Sequence, residues 1–348
     1  MLLLRRCIFF LLRHNATPPW CQRRFCAKPA LPESFVIATD GTANPSSVTS
    51  KDFLRSHPAG AYTTARTTCN GQRLFEWDTH IHRTAASVAA MLDKSQEPSA
   101  QCLIKTLGQA STLRPRIDAT VAAAVRRYIS AHGNENELKV TVLVTWADVL
   151  ANACAKIDSP GRVMAHISPL PPIPSPPVKV ELRGAPRANA AAKDSSWVSE
   201  RGPLEAVMRP DMNELLFATT DGEIFEGSQT NFYAVIDGAV HTAGEGVLEG
   251  TVRHVLLQVC ERESIPVVLA PPRVATIDAW EGALISSTSR LLLPVHELYQ
   301  PPNKTKASTD ADLRRMFRYE ASALTLRLRD WVWEGVEAHS TPIAEPTR

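Results

Sequence analysis

Between Asp221 and Val295 the chain passes three turn-forming clusters set against apolar runs, and few folds accommodate that succession. GEIFEGSQTNFYAVIDGAVHT comes first, GVLEGTVRHVLLQVC second and ALISSTSRLLLPV third. An alternating run followed by Gly227, Ser228 and Asn231 places Glu226 where a strand meets a turn, with the backbone free to approach a ligand. A carboxylate there can keep a heterocyclic nitrogen protonated; a hairpin-edge glutamate facing water fits the residue type as well. After Gly246 and Gly250, the residues Val252, Val255, Leu256 and Val259 recur at helical spacing, so Thr251 stands near a helix N-terminus. Free N–H groups and the positive dipole end make that a seat for phosphate. Ser286, Ser287, Thr288 and Ser289 close the apolar run Ala283-Leu284-Ile285, either completing a phosphate cup or forming an ordinary turn.

In order and spacing, EGSQTNF, GVLEGTVR and SSTSRLLLPV resemble the class IV aminotransferases, the fold type IV pyridoxal-phosphate enzymes that include branched-chain and D-amino-acid aminotransferases and aminodeoxychorismate lyases. The resemblance extends from about Pro58 to about Val295. It implies a two-domain α/β (α+β) fold, a small N-terminal α/β domain and a larger C-terminal one, with pyridoxal 5'-phosphate between them. It implies a branched-chain-aminotransferase-like reaction moving an amino group between an amino acid and a 2-oxo acid, and a homodimer. A lyase on the same scaffold and a non-catalytic relative are the alternatives.

Such chemistry requires a lysine for the Schiff base with the cofactor and for moving the proton. Between Leu138 and Glu226 the lysines are Lys139, Lys156, Lys179 and Lys193. Lys139 and Lys179 flank strand-like valines, and Lys156 belongs to a polar turn. Lys193 lies 33 positions before Glu226, close to the family interval, and is the expected catalytic residue; an alanine-rich surface helix is the plainer reading of its surroundings. The resemblance also implies Arg83 as phosphate ligand, from a helix with His80 and Arg83 on one face, whereas residue type alone makes Arg83 a solvated helix residue. It implies Glu226 on the pyridine nitrogen, Leu248 against the ring, and Gly250, Thr251, Val252, Ser287 and Thr288 around the phosphate. Tyr62 and Trp146 are the expected substrate-binding residues. The family's carboxylate-holding arginine near the end of the strand LKVTVLVTW has no match, since Trp146 stands there.

Along the chain, residues 1–32 hold six basic and no acidic residues, and removing them shifts the formal charge from +2 to −4. The remainder thus gives no support for nucleic-acid binding. That segment reads as a mitochondrial presequence, with a plastid transit peptide as alternative; its IFFLL is too short to span a membrane. No Cys-x-x-Cys pair and no metal-spaced His accompany Cys69, Cys102, Cys154 and Cys260, so neither a metal nor a disulfide framework is expected. Residues 33–168 form the expected small domain, 169–177 a proline-rich linker, 178–300 the cofactor-binding domain, 301–310 a linker, 311–338 a C-terminal helix and 339–348 a disordered tail. Asn70-Gly71 predicts a hairpin, Asp78 or Thr79 a helix start, and Ile117–His132 a second amphipathic helix.

Overall fold

The computed structural model of the chain describes residues 34–344 apart from 94, 96–97, 148, 150–160, 303–305, 308–313 and 320–321. The expected presequence and most of the expected 301–310 linker lie outside the described residues.

Alternation builds the first half. β1 (Phe35–Thr39) turns into β2 (Thr42–Ser46), α1 (Ser50–Arg55) follows, and β3 (Ala61–Thr68) folds back on β4 (Arg73–Phe75). The predicted Asn70-Gly71 hairpin is present, with both residues at positive φ, 58° and 81°. Three helices come next, α2 (Trp77–Leu92), α3 (Pro98–Leu107) and α4 (Ala110–His132), then β5 (Leu138–Thr145) and β6 (Arg162–Pro169). The strands stand in the order β4-β3-β5-β6-β1-β2, and a seventh strand, from the C-terminus, closes the β4 edge. Successive side chains of β3 and β5 point to opposite faces. Ala61, Ala65, Val140, Val142 and Val144 share one core with Ile81, Val88, Ile117 and Val125 of the helices. Tyr62, Thr64, Lys139 and Thr141 face the other way and line a cleft.

The second half starts with β7 (Lys179–Leu182), the short helices α5 (Trp197–Glu200) and α6 (Gly202–Val207), and β8 (Glu214–Ala218). β9 (Ile224–Gly227), β10 (Asn231–Ile236) and β11 (Ala239–His241) precede α7 (Thr251–Arg262). β12 (Val267–Val268), β13 (Trp280–Ser287), β14 (Leu291–Val295), β15 (Glu297–Gln300) and β16 (Arg314–Arg318) complete the second sheet. Its order is β12-β11-β10-β9-β8-β7-β15-β16, with β13 paired to β10 and β14 to β13. Last come α8 (Ala323–Glu334) and β17 (Ser340–Pro342). Val252, Val255, Leu256 and Val259, the helical-period residues of α7, pack with Leu328 and Val332 of α8 and with Leu284 of β13.

Several elements differ from the sequence reading. Helix α4 begins at Ala110 and runs through Pro115; Leu113 and Ile117, one turn apart and both fully buried, hold the added turn despite the lost backbone donor. The helix expected from about Ala311 is a strand over Arg314–Arg318 paired antiparallel to β15, and α8 starts at Ala323, where the Ser322 side chain accepts from the Thr325 N–H. The tail expected to be disordered instead places Ser340, Thr341 and Pro342 opposite Phe75, Leu74 and Arg73. An edge strand needs a partner for its backbone groups, and β4 supplies the tail with one. Among the described residues no helix is long and apolar enough to cross a membrane.

Candidate active site

The cleft between the two sheets encloses about 480 Å³, within the range of small-molecule sites. Its walls bring together Tyr62, Arg83, Lys193, Glu226, Leu248, Gly250, Thr251, Val252, Ser287 and Thr288. Trp146 is not among them: it is buried in the core beneath α2–α4, because it continues the alternation of β5, in which Val140, Val142 and Val144 face the helices and Lys139 and Thr141 face the cleft. Trp146 is therefore corrected from a cleft residue to a core residue.

Lys193 does not belong to an alanine-rich helix. It sits in an irregular segment docked on the open flank of β3, where Tyr62 N–H donates to the Lys193 carbonyl at 2.9 Å and the Lys193 N–H donates to Ser87 Oγ at 3.1 Å. Next to it Asp194 makes a bridge with Ala61, and Ser195 N–H donates to the Gly60 carbonyl at 2.9 Å. The amine stands 4.7 Å from the centre of the Tyr62 ring. Burial pushes the amine well below its usual range, and Arg83, Arg187 and Arg201 push the same way, with Glu226 opposing in part. A lysine so placed is readier than a surface lysine to be neutral and nucleophilic.

Glu226, in β9, is 3% exposed. Its Oε1 accepts from Arg187 Nε at 2.8 Å and its Oε2 from the Leu248 N–H at 3.0 Å. Arg187 Nη2 lies 2.7 Å from the same carboxylate, and the Arg187 guanidinium stacks 5.2 Å from the Trp197 ring centre. Burial raises the carboxyl above its usual range, and Arg187 brings it part of the way back. The sequence offered no sign of Arg187, one arginine in a loop of small residues 39 positions from its partner.

On the facing wall, Arg83 donates to the Glu249 carbonyl at 3.0 Å and to Thr63 Oγ1 at 2.9 Å. Thr63 Oγ1 stands 2.7 Å from His80 Nδ1. Because Thr63 accepts from the guanidinium, its own proton is free to go to Nδ1, which leaves His80 protonated on Nε2. Burial, with the charges of Arg83 and Lys193, holds this imidazole well below its ordinary pKa. His80 is thereby kept neutral, and Arg83, lowered by burial only to about 10, stays charged at neutral pH.

These residues fit a phosphorylated heterocycle. Arg83 Nε is buried with no partner among the described residues. Gly250 precedes α7 with no capping side chain, so the first N–H groups of the helix lack intrahelical acceptors. A Cβ at Gly250 would meet Asn231 Oδ1 at 2.0 Å, so a larger residue here requires the Asn231 side chain to leave its bond to the Leu248 carbonyl. Thr251 and Thr288 hydroxyls lie 2.9 Å apart, joining the helix start to the turn after β13. Deeper along the cleft, Lys139 donates to Ser50 Oγ at 2.5 Å, and burial and Arg201 lower its pKa. Arg201 shares Glu205 with Lys51, at 2.8 and 2.9 Å. Lys139, Lys51 and Arg201 thus gather in this part of the cleft, with Glu205 pairing the last two. The alternation Lys139, Thr141 within an otherwise apolar β5 is the sequence signal that identifies this face.

The chain is a two-sheet α/β fold of type IV, with a lysine, a carboxylate and an arginine lining one cleft. The family model described as amino-transferase class IV matches residues 60–298, and the chain belongs to that family. Solved structures with the same fold include the T.th. branched-chain amino acid aminotransferase with pyridoxamine 5'-phosphate, at 17% identity, 89% of this chain, 98% of that one and a TM-score of 0.62. The branched-chain aminotransferase of Thermoproteus uzoniensis with norvaline gives 17%, 89%, 99% and 0.60. A fold IV transaminase from Curtobacterium pusillum gives 19%, 86%, 98% and 0.59. Comparison with curated proteins returns no match.

Proposed function

We propose that this chain is a pyridoxal-phosphate-dependent aminotransferase acting between an amino acid and a 2-oxo acid, as a homodimer, after its basic leader directs it to mitochondria. The observation that carries this reading is the convergence of Lys193, Glu226 and Arg83 on one cleft, since packing alone requires none of the three. Bound there, the cofactor supplies an electron sink for the pair left when an amino acid's α-proton is removed. The chain's residues do the rest. Lys193 Nζ anchors the cofactor and moves the proton. Glu226, kept ionised by Arg187, holds a proton on the ring nitrogen. Leu248 packs against the ring, and Arg83, Gly250, Thr251, Val252, Ser287 and Thr288 form the phosphate cup. Borohydride reduction in the presence of pyridoxal phosphate is expected to fix the cofactor to the peptide bearing Lys193. A different lysine, or none, would refute the assignment. Amino-group transfer that depends on an added 2-oxo acid distinguishes the transferase from a lyase, which would release pyruvate without one.

The cationic stretch of Lys139 and Arg201 supports substrates that are acids and takes the place of the arginine missing at Trp146. Lys139→Met is expected to raise KM for the amino acid about tenfold while leaving kcat within a few-fold. An unchanged KM would show that this stretch does not meet substrate.

A further inference from the structure

Residues beyond Leu298, the end of the family match, return to the first half of the molecule and reach the start of the helix that carries Arg83. β17 pairs with β4, the Ile343 N–H donates to the Gln72 carbonyl at 3.0 Å and the Glu76 N–H donates to the His339 carbonyl at 2.7 Å. His339 Nδ1 lies 2.8 Å from Glu76 Oε1, and Arg73 bonds the Ser340 carbonyl. Glu76 is the residue from which α2 departs. It has a left-handed backbone, φ 50° and ψ 39°, which a residue with a side chain adopts only where its surroundings hold it. Its other carboxylate oxygen accepts from Thr79 Oγ1 at 2.5 Å, and its carbonyl accepts from the His80 N–H at 3.0 Å. One and two turns onward on the same face come His80 and Arg83.

A second set of contacts ties this corner to the opposite wall. Phe75, fully buried, packs in one cluster with Val252 and Val255 of α7 and with Leu328, Val332 and Val336 of the C-terminal segment. The C-terminal segment therefore holds the root of α2, which presents Arg83, and through Phe75 and Val336 shares a buried cluster with the flank of α7, which presents Thr251. Nothing in the sequence of this segment reads as catalytic, and none of its residues lines the cleft.

We propose that the C-terminal segment Val336–Ile343 is a positioning strap for the phosphate cup: by fixing Glu76 and Phe75 it sets the placement of Arg83 relative to the N-terminus of α7. This rests on the reading of the cup as a cofactor-phosphate seat. The strap acts through Arg83, so its loss should be felt by the phosphate and not by the ring.

The test compares pyridoxal phosphate with pyridoxal, which lacks the phosphate, by equilibrium binding to the parent chain, to a chain ending at Ala338 and to His339→Ala. The parent should bind the phosphorylated form more tightly. The shortened chain is expected to lose about tenfold in affinity for pyridoxal phosphate with its affinity for pyridoxal unchanged, and His339→Ala should lose part of that. If the shortened chain does not fold, His339→Ala decides alone. Variants that keep the parent's preference for the phosphate, or that lose both ligands equally, would overturn the strap while leaving the cofactor site standing. A parent with no preference for the phosphate would instead remove the cofactor reading itself, and the strap with it.

Discussion

Lys193→Ala is expected to lower amino-group transfer by at least about a thousandfold, because one residue supplies both the covalent anchor and the group that moves the α-proton. The loss should be in kcat, and an added small primary amine should recover part of it by taking over the proton. A variant retaining near-parent turnover would place the chemistry on another residue. The same amine has a stability signature. Its pKa in the folded chain is depressed, chiefly by burial, so between that value and the unfolded value of 10.5 the unfolded chain binds more protons. The cost to the fold is complete below the folded pKa and disappears as pH rises through the unfolded one. Lys193→Met should therefore melt above the parent near neutral pH, with the gap closing towards pH 10.5. Water in the open cleft keeps that gap modest. A gap that widened with pH would contradict the placement of the amine.

Much of this site was legible because its parts announce themselves locally. Gly250-Thr251 before a helical period, and Ser287-Thr288 after an apolar run, are strand and helix ends whose free backbone groups are fixed by sequence neighbours. What was not legible depends on pairing across long separations. Arg187, from a loop, and Glu226, from β9, meet across 39 positions. Lys139 reaches the cleft only because its register opposite Arg66 sets which face it takes. Trp146 was misplaced because its parity with Val140, Val142 and Val144, which puts it on the core face, was outweighed by its position in the expected order of residues. The tail carries a polar, proline-containing sequence that has no preference of its own for a strand; it becomes one because β4 offers an edge. Pro115 likewise spoke against a helix that two buried aliphatic side chains, Leu113 and Ile117, were able to continue.

Arg187→Met is expected to be the most informative loss on the carboxylate side. Without the guanidinium, Glu226 keeps one N–H donor, from Leu248, in a setting where burial already raises its pKa. The carboxyl then tends to take up a proton near neutral pH, and a protonated Glu226 no longer favours the charged ring nitrogen, so turnover should fall about a hundredfold at pH 7. Since the ionised form is the working one, activity of the variant should rise with pH through a carboxyl pKa higher than the parent's, so that its acid limb is displaced to higher pH than the parent's. Stability moves the other way. A carboxyl whose folded pKa exceeds the unfolded value of 4.5 binds more protons when folded, so the variant loses stability as pH rises from about 4.5. Breaking a largely buried pair costs about 3 kcal/mol at neutral pH, and that difference should shrink under mild acid. Glu226→Gln separates the two effects: it removes the ionisable group, so its activity should be low at every pH. If Arg187→Met instead keeps the parent's pH profile, the guanidinium has no part in holding Glu226 ionised.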